Sequence, residues 1–240
     1  MAYTRIAVED LCKEWLKNKT VCGFYDSNYK NWSGTIKQSE EYSSDVVAEF
    51  VLNHIDDFRN IRRMERAGSY NVGHNGVLER EDSNRKEERV AVELFNNCNK
   101  LDLEYEFIGK IIDYQTPLQN GHVPAIDLLS VKDNTLYILE LKQENNTENL
   151  LRCVLEAYTY LKQVDVEKLI DNFHLNGQIK SIVAAPLIYC GKRQMDEFYE
   201  MRDLGKRPFL YELMKELDIK TVFAYHKGGG KYHFKKEEIE

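Results

Sequence analysis

Three ionisable residues, Asp127, Glu140 and Lys142, stand where a chain seldom tolerates them, inside the otherwise apolar run PAIDLLSVKDNTLYILELK at residues 124–142. A charge set against buried apolar surface costs several kcal/mol unless it is paired or holds a metal ion. Two carboxylates ~4–5 Å apart repel unless a cation lies between them, and oxygen ligation with one or two carboxylates is the pattern of Mg²⁺. The chemistry expected is that of a divalent cation, with Mn²⁺ as a substitute for Mg²⁺, held by Asp127 and Glu140 beside the ammonium of Lys142.

Such convergence needs a particular scaffold. Residues 123–131 and 135–142 are rich in Val, Ile, Leu and Tyr, and Lys132-Asp133-Asn134 between them is a turn signal, so the segment reads as a β-hairpin. Strand side chains alternate, which puts Leu136, Ile138, Glu140 and Lys142 on one face and Tyr137, Leu139 and Leu141 on the other. The tight turn lays the Asp127 strand beside the Glu140 strand. All three charges then meet at one end of the hairpin.

An aspartate on one strand followed across a short turn by Glu140-Leu141-Lys142 resembles the PD-(D/E)XK nuclease superfamily, over residues 84–190. Pro124 lies three residues before Asp127 rather than next to it. The resemblance implies a restriction-endonuclease-like α/β fold, an αβββαβ core with a mixed central sheet flanked by helices. It implies Mg²⁺-dependent hydrolysis of nucleic acid, DNA before RNA. Asp127 and Glu140 would hold the metal, the Leu141 carbonyl would be a further ligand, and Lys142 would act on the attacking water or the developing phosphorane charge.

The flanking elements follow that order. SNRKEERVAVELFNNCNK at residues 83–100 is helical, capped by Ser83 or Asn84, with Val90, Ala91, Leu94, Phe95 and Cys98 as its apolar stripe. Glu87 precedes Ala91 by four and Leu94 by seven, so it lies on the core-facing stripe, with Glu88 at the edge. The resembled family commonly takes an acidic residue from this helix, and Glu87 is that candidate. Residues 103–114 read as a strand. A capping-box pattern at residues 145–148 opens a helix to about residue 164, with Leu150, Leu151, Val154, Leu155, Tyr158 and Leu161 on its main apolar face. Arg152, Glu156 and Tyr160 line the opposite side, so this helix is expected to be covered twice. Glu156-x-x-x-Tyr160 is similar to the Gln-x-x-x-Tyr element of the RecB-like branch, with Glu for Gln. Residues 178–189 suit a strand buried on both faces.

Residues 1–80 form a mainly helical extension, with helices over 7–17 and 44–64, Ser43 or Ser44 as a cap, an irregular aromatic stretch over 22–42, and a linker over 68–83; residues 84–240 make the nuclease-like domain. Towards the C-terminus, helices over 192–204 and 208–217 precede a hairpin turning at Gly228–Gly230. The net charge of −7 argues against non-specific coating of nucleic acid but not against a local groove. Basic residues cluster at Arg59, Arg62, Arg63 and Arg66, at Arg80, Arg85 and Lys86, and at Lys227, Lys231, Lys235 and Lys236. Five scattered cysteines suggest neither a disulfide framework nor a zinc site. Without a membrane-length apolar run or a signal peptide, a cytoplasmic location is expected. The expected partner is nucleic acid, with a homodimer left open. The competing reading is a nuclease-like module that binds or scaffolds without hydrolysis.

Overall fold

The hairpin is the centre of a six-stranded mixed sheet in the computed structural model, which describes residues 3–78, 86–120 and 124–240. In chain order the elements are α1 (Arg5–Gly23), two short 3-10 helices (Phe24–Asp26 and Asn28–Asn31), α2 (Ser43–Asn53), α3 (Ile55–Arg59) and α4 (Lys86–Lys100). Then come β1 (Lys110–Pro117), β2 (Ala125–Lys132), β3 (Thr135–Leu141), α5 (Leu150–Gln163), α6 (Val166–Asn172) and β4 (Ser181–Tyr189). The chain ends with α7 (Arg193–Arg202), α8 (Pro208–Glu216), β5 (Thr221–Gly228) and β6 (Lys231–Glu238).

The strands lie in sequence order. β1, β2 and β3 are antiparallel, β3, β4 and β5 parallel, and β6 returns antiparallel to β5. Asp133 and Asn134 adopt φ of 48° and 64°, the left-handed pair that a two-residue hairpin turn needs and that Asn and Asp accept at least cost. Alternation on β3 falls as the sequence predicts. Leu136 and Ile138 pack with α5, whereas Leu139 and Leu141 pack with Ala91, Leu94, Phe95 and Cys98 of α4.

The core beneath α5 also holds Val8, Trp15, Phe24, Phe50, Phe58, Phe198 and Leu213, so the N-terminal region shares its interior with α5, α7 and α8. Nearly every residue of α5 from Leu150 to Tyr160 is buried, which fits the expected cover on two sides. No helix among the described residues is long and apolar enough to cross a membrane. All five cysteines are unpaired.

Several boundaries differ from the sequence reading. β1 begins at Lys110, because Tyr105 and Gly109 bond each other's backbone and Gly109 turns the chain at φ 71°. α5 begins after Asn149, whose side chain accepts from Arg152 N at 3.0 Å and donates to Tyr29 O at 2.7 Å. That buried cap displaces the 145–148 pattern. Tyr42, not a serine, precedes α2, and the 44–64 helix breaks at His54. Within the expected linker, Tyr70 is buried and its hydroxyl accepts from Asp165 N at 2.9 Å. The proposed caps Ser83 and Asn84, and Arg80 and Arg85 of one basic cluster, lie outside the described residues.

Candidate functional site

Register sets the geometry. Leu128 and Leu139 are the last pair of the β2–β3 ladder, and Asp127 and Glu140 follow it on neighbouring strands, on the face that carries α5. Asp127 Oδ2 accepts from the Leu141 amide at 2.9 Å and Oδ1 from Gln115 Nε2 at 2.8 Å. Gln115 adopts φ 47°, a conformation costly for a non-glycine residue that here accompanies the aim of its amide at Asp127.

Glu140 and Lys142, each only 3% exposed, join a row projected from α5. Lys142 Nζ lies 2.5 Å from Glu140 Oε1 and 3.1 Å from both Glu148 Oε2 and Glu156 Oε2. Arg152 pairs with Glu156 and with Glu148 at 2.9 Å. Tyr160 donates its hydroxyl to Glu156 Oε1 at 3.1 Å and meets the Tyr25 hydroxyl at 3.4 Å. The Arg152 guanidinium sits 5.3 Å above the Tyr25 ring and 3.9 Å from Asp26. Arg152, Glu156 and Tyr160 are thus one i, i+4 row of α5 aimed at the hairpin, and Glu148 joins them from the loop just ahead of the Asn149 cap. Arg152 and Glu156 are both buried, in keeping with the expected cover on that side of the helix.

The row walls a cleft of about 630 Å³, lined by Asp127, Glu87, Arg152, Glu156, Tyr160 and Tyr25 among others. The structure therefore gathers the predicted side chains at or beside one cleft, except that of Leu141, which packs against α4 on the other face, and with two further differences. Glu140 and Lys142 lie behind the lining rather than on it. Glu87 reaches the cleft, but Glu88 is the more buried of the pair, and the Glu87 carboxylate accepts from Asn146 Nδ2 at 2.8 Å and Gln143 N at 3.4 Å.

Charge in the site is unevenly matched. Asp127 keeps some exposed surface on the cleft floor, yet protein atoms crowd it. Burial first, then Glu140, pushes its carboxyl well above the ordinary value, with Lys142 opposing and Glu87 adding. Burial pulls the Lys142 ammonium down, but Glu140 outweighs it and holds the group above its ordinary value. Arg152 is raised in the same way, burial being outweighed by Glu140 and Glu148. Tyr160 is pushed up by burial and then by Glu140. Lys142 and Arg152 are the cations of a group that holds Asp127, Glu140, Glu148 and Glu156.

Among the described residues no group of three or more His, Cys, Asp or Glu side chains is placed to hold a metal ion, so Glu87 does not complete a three-carboxylate set. Asp127 is nevertheless a crowded carboxylate whose hydrogen-bond donors among the described residues are both neutral. Two carboxylates with water and a backbone oxygen suffice for Mg²⁺.

Sequence reasoning missed Glu148, Gln115, Tyr25 and Asp26. Glu148 stands ahead of the Asn149 cap rather than on α5, so helical spacing does not place it. Gln115 depends on an irregular β1, and Tyr25 and Asp26 on how the 3-10 segment packs against α5, which no local pattern encodes. Comparison with family models, with curated proteins and with solved structures finds no match to the chain.

Proposed function

We propose that the cleft is the active site of a Mg²⁺-dependent nuclease of the PD-(D/E)XK kind, hydrolysing phosphodiester bonds of DNA. The observation that carries this reading is that the hairpin puts Asp127 on the cleft with Glu140 and Lys142 directly behind it, Asp127 lacking a cation partner among the described residues. Asp127 and Glu140 would hold the metal, with the Leu141 carbonyl as a further oxygen. A bound Mg²⁺ supplies a water of lowered pKa and neutralises charge on the phosphoryl oxygens. Lys142 and Arg152 supply fixed positive charge, Arg152 facing the cleft and Lys142 supporting it from behind. Glu148 and Glu156 hold both cations in place, and Tyr160 fixes Glu156.

One observation favours the second reading, a nuclease-like module that binds without hydrolysis. Glu140, Lys142, Glu148, Arg152 and Glu156 satisfy one another in a nearly closed ion network. Calorimetric titration of Mg²⁺ and Mn²⁺ into wild type and Asp127→Ala separates the two. The nuclease reading expects binding to wild type that the substitution abolishes. Heat that is absent from both proteins would leave the carboxylates structural and move the assignment to the binding module.

A further inference from the structure

A second groove, about 650 Å³, opens where two walls of the cleft continue, and it is lined by Arg63, Arg66 and Lys168 with Asn120 and Asp165. One of those walls is α5. The row Arg152, Glu156, Tyr160 runs on to Val164, and Gln163, roughly 4.5 Å beyond Tyr160 along the helix axis, accepts from Met64 N at 2.8 Å. The other wall is the end of the β1–β2 ladder, where Arg66 donates to Gln119 O, Leu118 N donates to Pro124 O at 2.9 Å, and Pro124 and Ala125 line the cleft. Both attachments place the groove next to the cleft.

Two of its cations, Arg66 and Lys168, are organised but not neutralised. Arg66 donates to Ser69 O at 2.9 Å and to Gln119 O, and its guanidinium lies 5.6 Å from the Tyr70 ring. Lys168 donates to Ala67 O at 3.2 Å and to Arg66 O. Every one of these acceptors is a neutral carbonyl. Arg63 is paired with Asp165 at 3.2 Å, and the other carboxylate oxygen of Asp165 caps α6 by accepting from the Lys168 backbone amide at 3.2 Å. Arg62 stands exposed beside them. The three cations of the lining, with Arg62 next to them in the chain, outnumber Glu65 and Asp165 and, in a chain of net charge −7, make a local positive track beside an acidic cleft.

The geometry points to this groove as the track for the phosphate backbone of the nucleic acid where it leaves the cleft, an inference that rests on the nuclease reading. Fixed guanidinium and ammonium groups at successive positions suit phosphates spaced along a strand, and they read no sequence. A segment with its charges aimed at carbonyls is already ordered, so little entropy remains to be lost on binding.

The test is the salt dependence of binding of a fluorescent single-stranded oligonucleotide, measured in EDTA so that no cleavage occurs. The proteins are wild type, Arg62→Gln/Arg63→Gln, and the same pair with Lys168→Gln. Arg62 and Arg63 are exposed, so the double variant keeps its fold, which circular dichroism checks. Each lost phosphate contact removes about 0.7 from the slope of log K against log salt, so the slope should be shallower by about 1.4 and then about 2. An unchanged slope in both variants overturns the inference, as does a wild type that binds no oligonucleotide. Metal-dependent hydrolysis of bis(p-nitrophenyl) phosphate by wild type reports on the nuclease reading separately. Hydrolysis with an unchanged slope discards the track alone, and no hydrolysis discards the reading beneath it.

Discussion

Replacing Lys142 by Met keeps most of the side-chain volume and removes one charge from the best-connected ion cluster in the protein. Lys142 is 3% exposed, and its ammonium lies 2.5 Å from Glu140 and 3.1 Å from Glu148 and Glu156. Removing one partner of a buried pair costs about 3–5 kcal/mol, because the charge left behind has been desolvated without compensation. Here three carboxylates would be left to Arg152 alone, which puts the expected loss at the upper end. For a chain of this size about 2–4 °C of Tm accompanies each kcal/mol, so the melting temperature should fall by roughly 10–20 °C. Urea unfolding at pH 7 gives the free energy directly, provided the m-value is unchanged. Adding Glu156→Gln to the variant removes one orphaned charge, so the double variant should lose less than the sum of the two single losses, by about 0.5–3 kcal/mol. A loss below about 1 kcal/mol for Lys142→Met, or strict additivity in the double variant, would refute the ion-cluster account.

Three further outcomes are expected. Asp45 is buried and accepts from Leu210 N at 2.8 Å, and burial raises its carboxyl to about 6. Because the folded value lies above the unfolded one, its contribution is most favourable below about pH 4 and declines as pH rises to about 6, by about 3 kcal/mol in all. Wild type should lose that much stability relative to Asp45→Asn between pH 4 and 7 in paired urea titrations, and a flat difference profile would contradict the assignment. A Cβ at Gly109, where φ is 71°, would lie 2.1 Å from the Val131 carbonyl oxygen, so Gly109→Ala should cost at least ~2 kcal/mol by thermal melting. Asp127→Asn removes a crowded carboxylate, so without metal it should melt no lower than wild type. With Mg²⁺ at a hundred times its dissociation constant wild type alone should gain about 2.7 kcal/mol, roughly 5–11 °C.

The hairpin was legible because three independent signals coincide in it. Strict alternation sets the faces, Asp133-Asn134 supplies the left-handed turn, and both strands are rich in β-formers. α5 was legible from its main apolar face, with Cys153 and Ala157 beside Arg152 and Glu156 pointing to cover on the opposite side as well. What failed was local competition decided by distant partners. Residues 103–109 have strand composition, but Gly109 and the Tyr105 bridge fold them back before β1. Asn149 outcompetes the 145–148 pattern because Tyr29, far away in sequence, takes its amide. Glu140 and Lys142 were placed on the right face, yet their burial behind the cleft lining depends on Glu148, Arg152 and Glu156 closing over them, which strand alternation alone does not reveal. Tyr25 and Asp26 reach the cleft through an irregular segment whose path is fixed by its tertiary contacts, Phe24 being buried against Phe50 and Phe58.

The most direct measurement is the nicking of supercoiled DNA in Mg²⁺, in Mn²⁺ and in EDTA by wild type and by Asp127→Asn, the variant expected to keep its fold. Metal-dependent conversion to open circles by wild type, slowed at least ~100-fold by the substitution, is the result predicted for a cation held by Asp127 and Glu140. Equal cleavage by both proteins, or none by wild type in either metal, would contradict it.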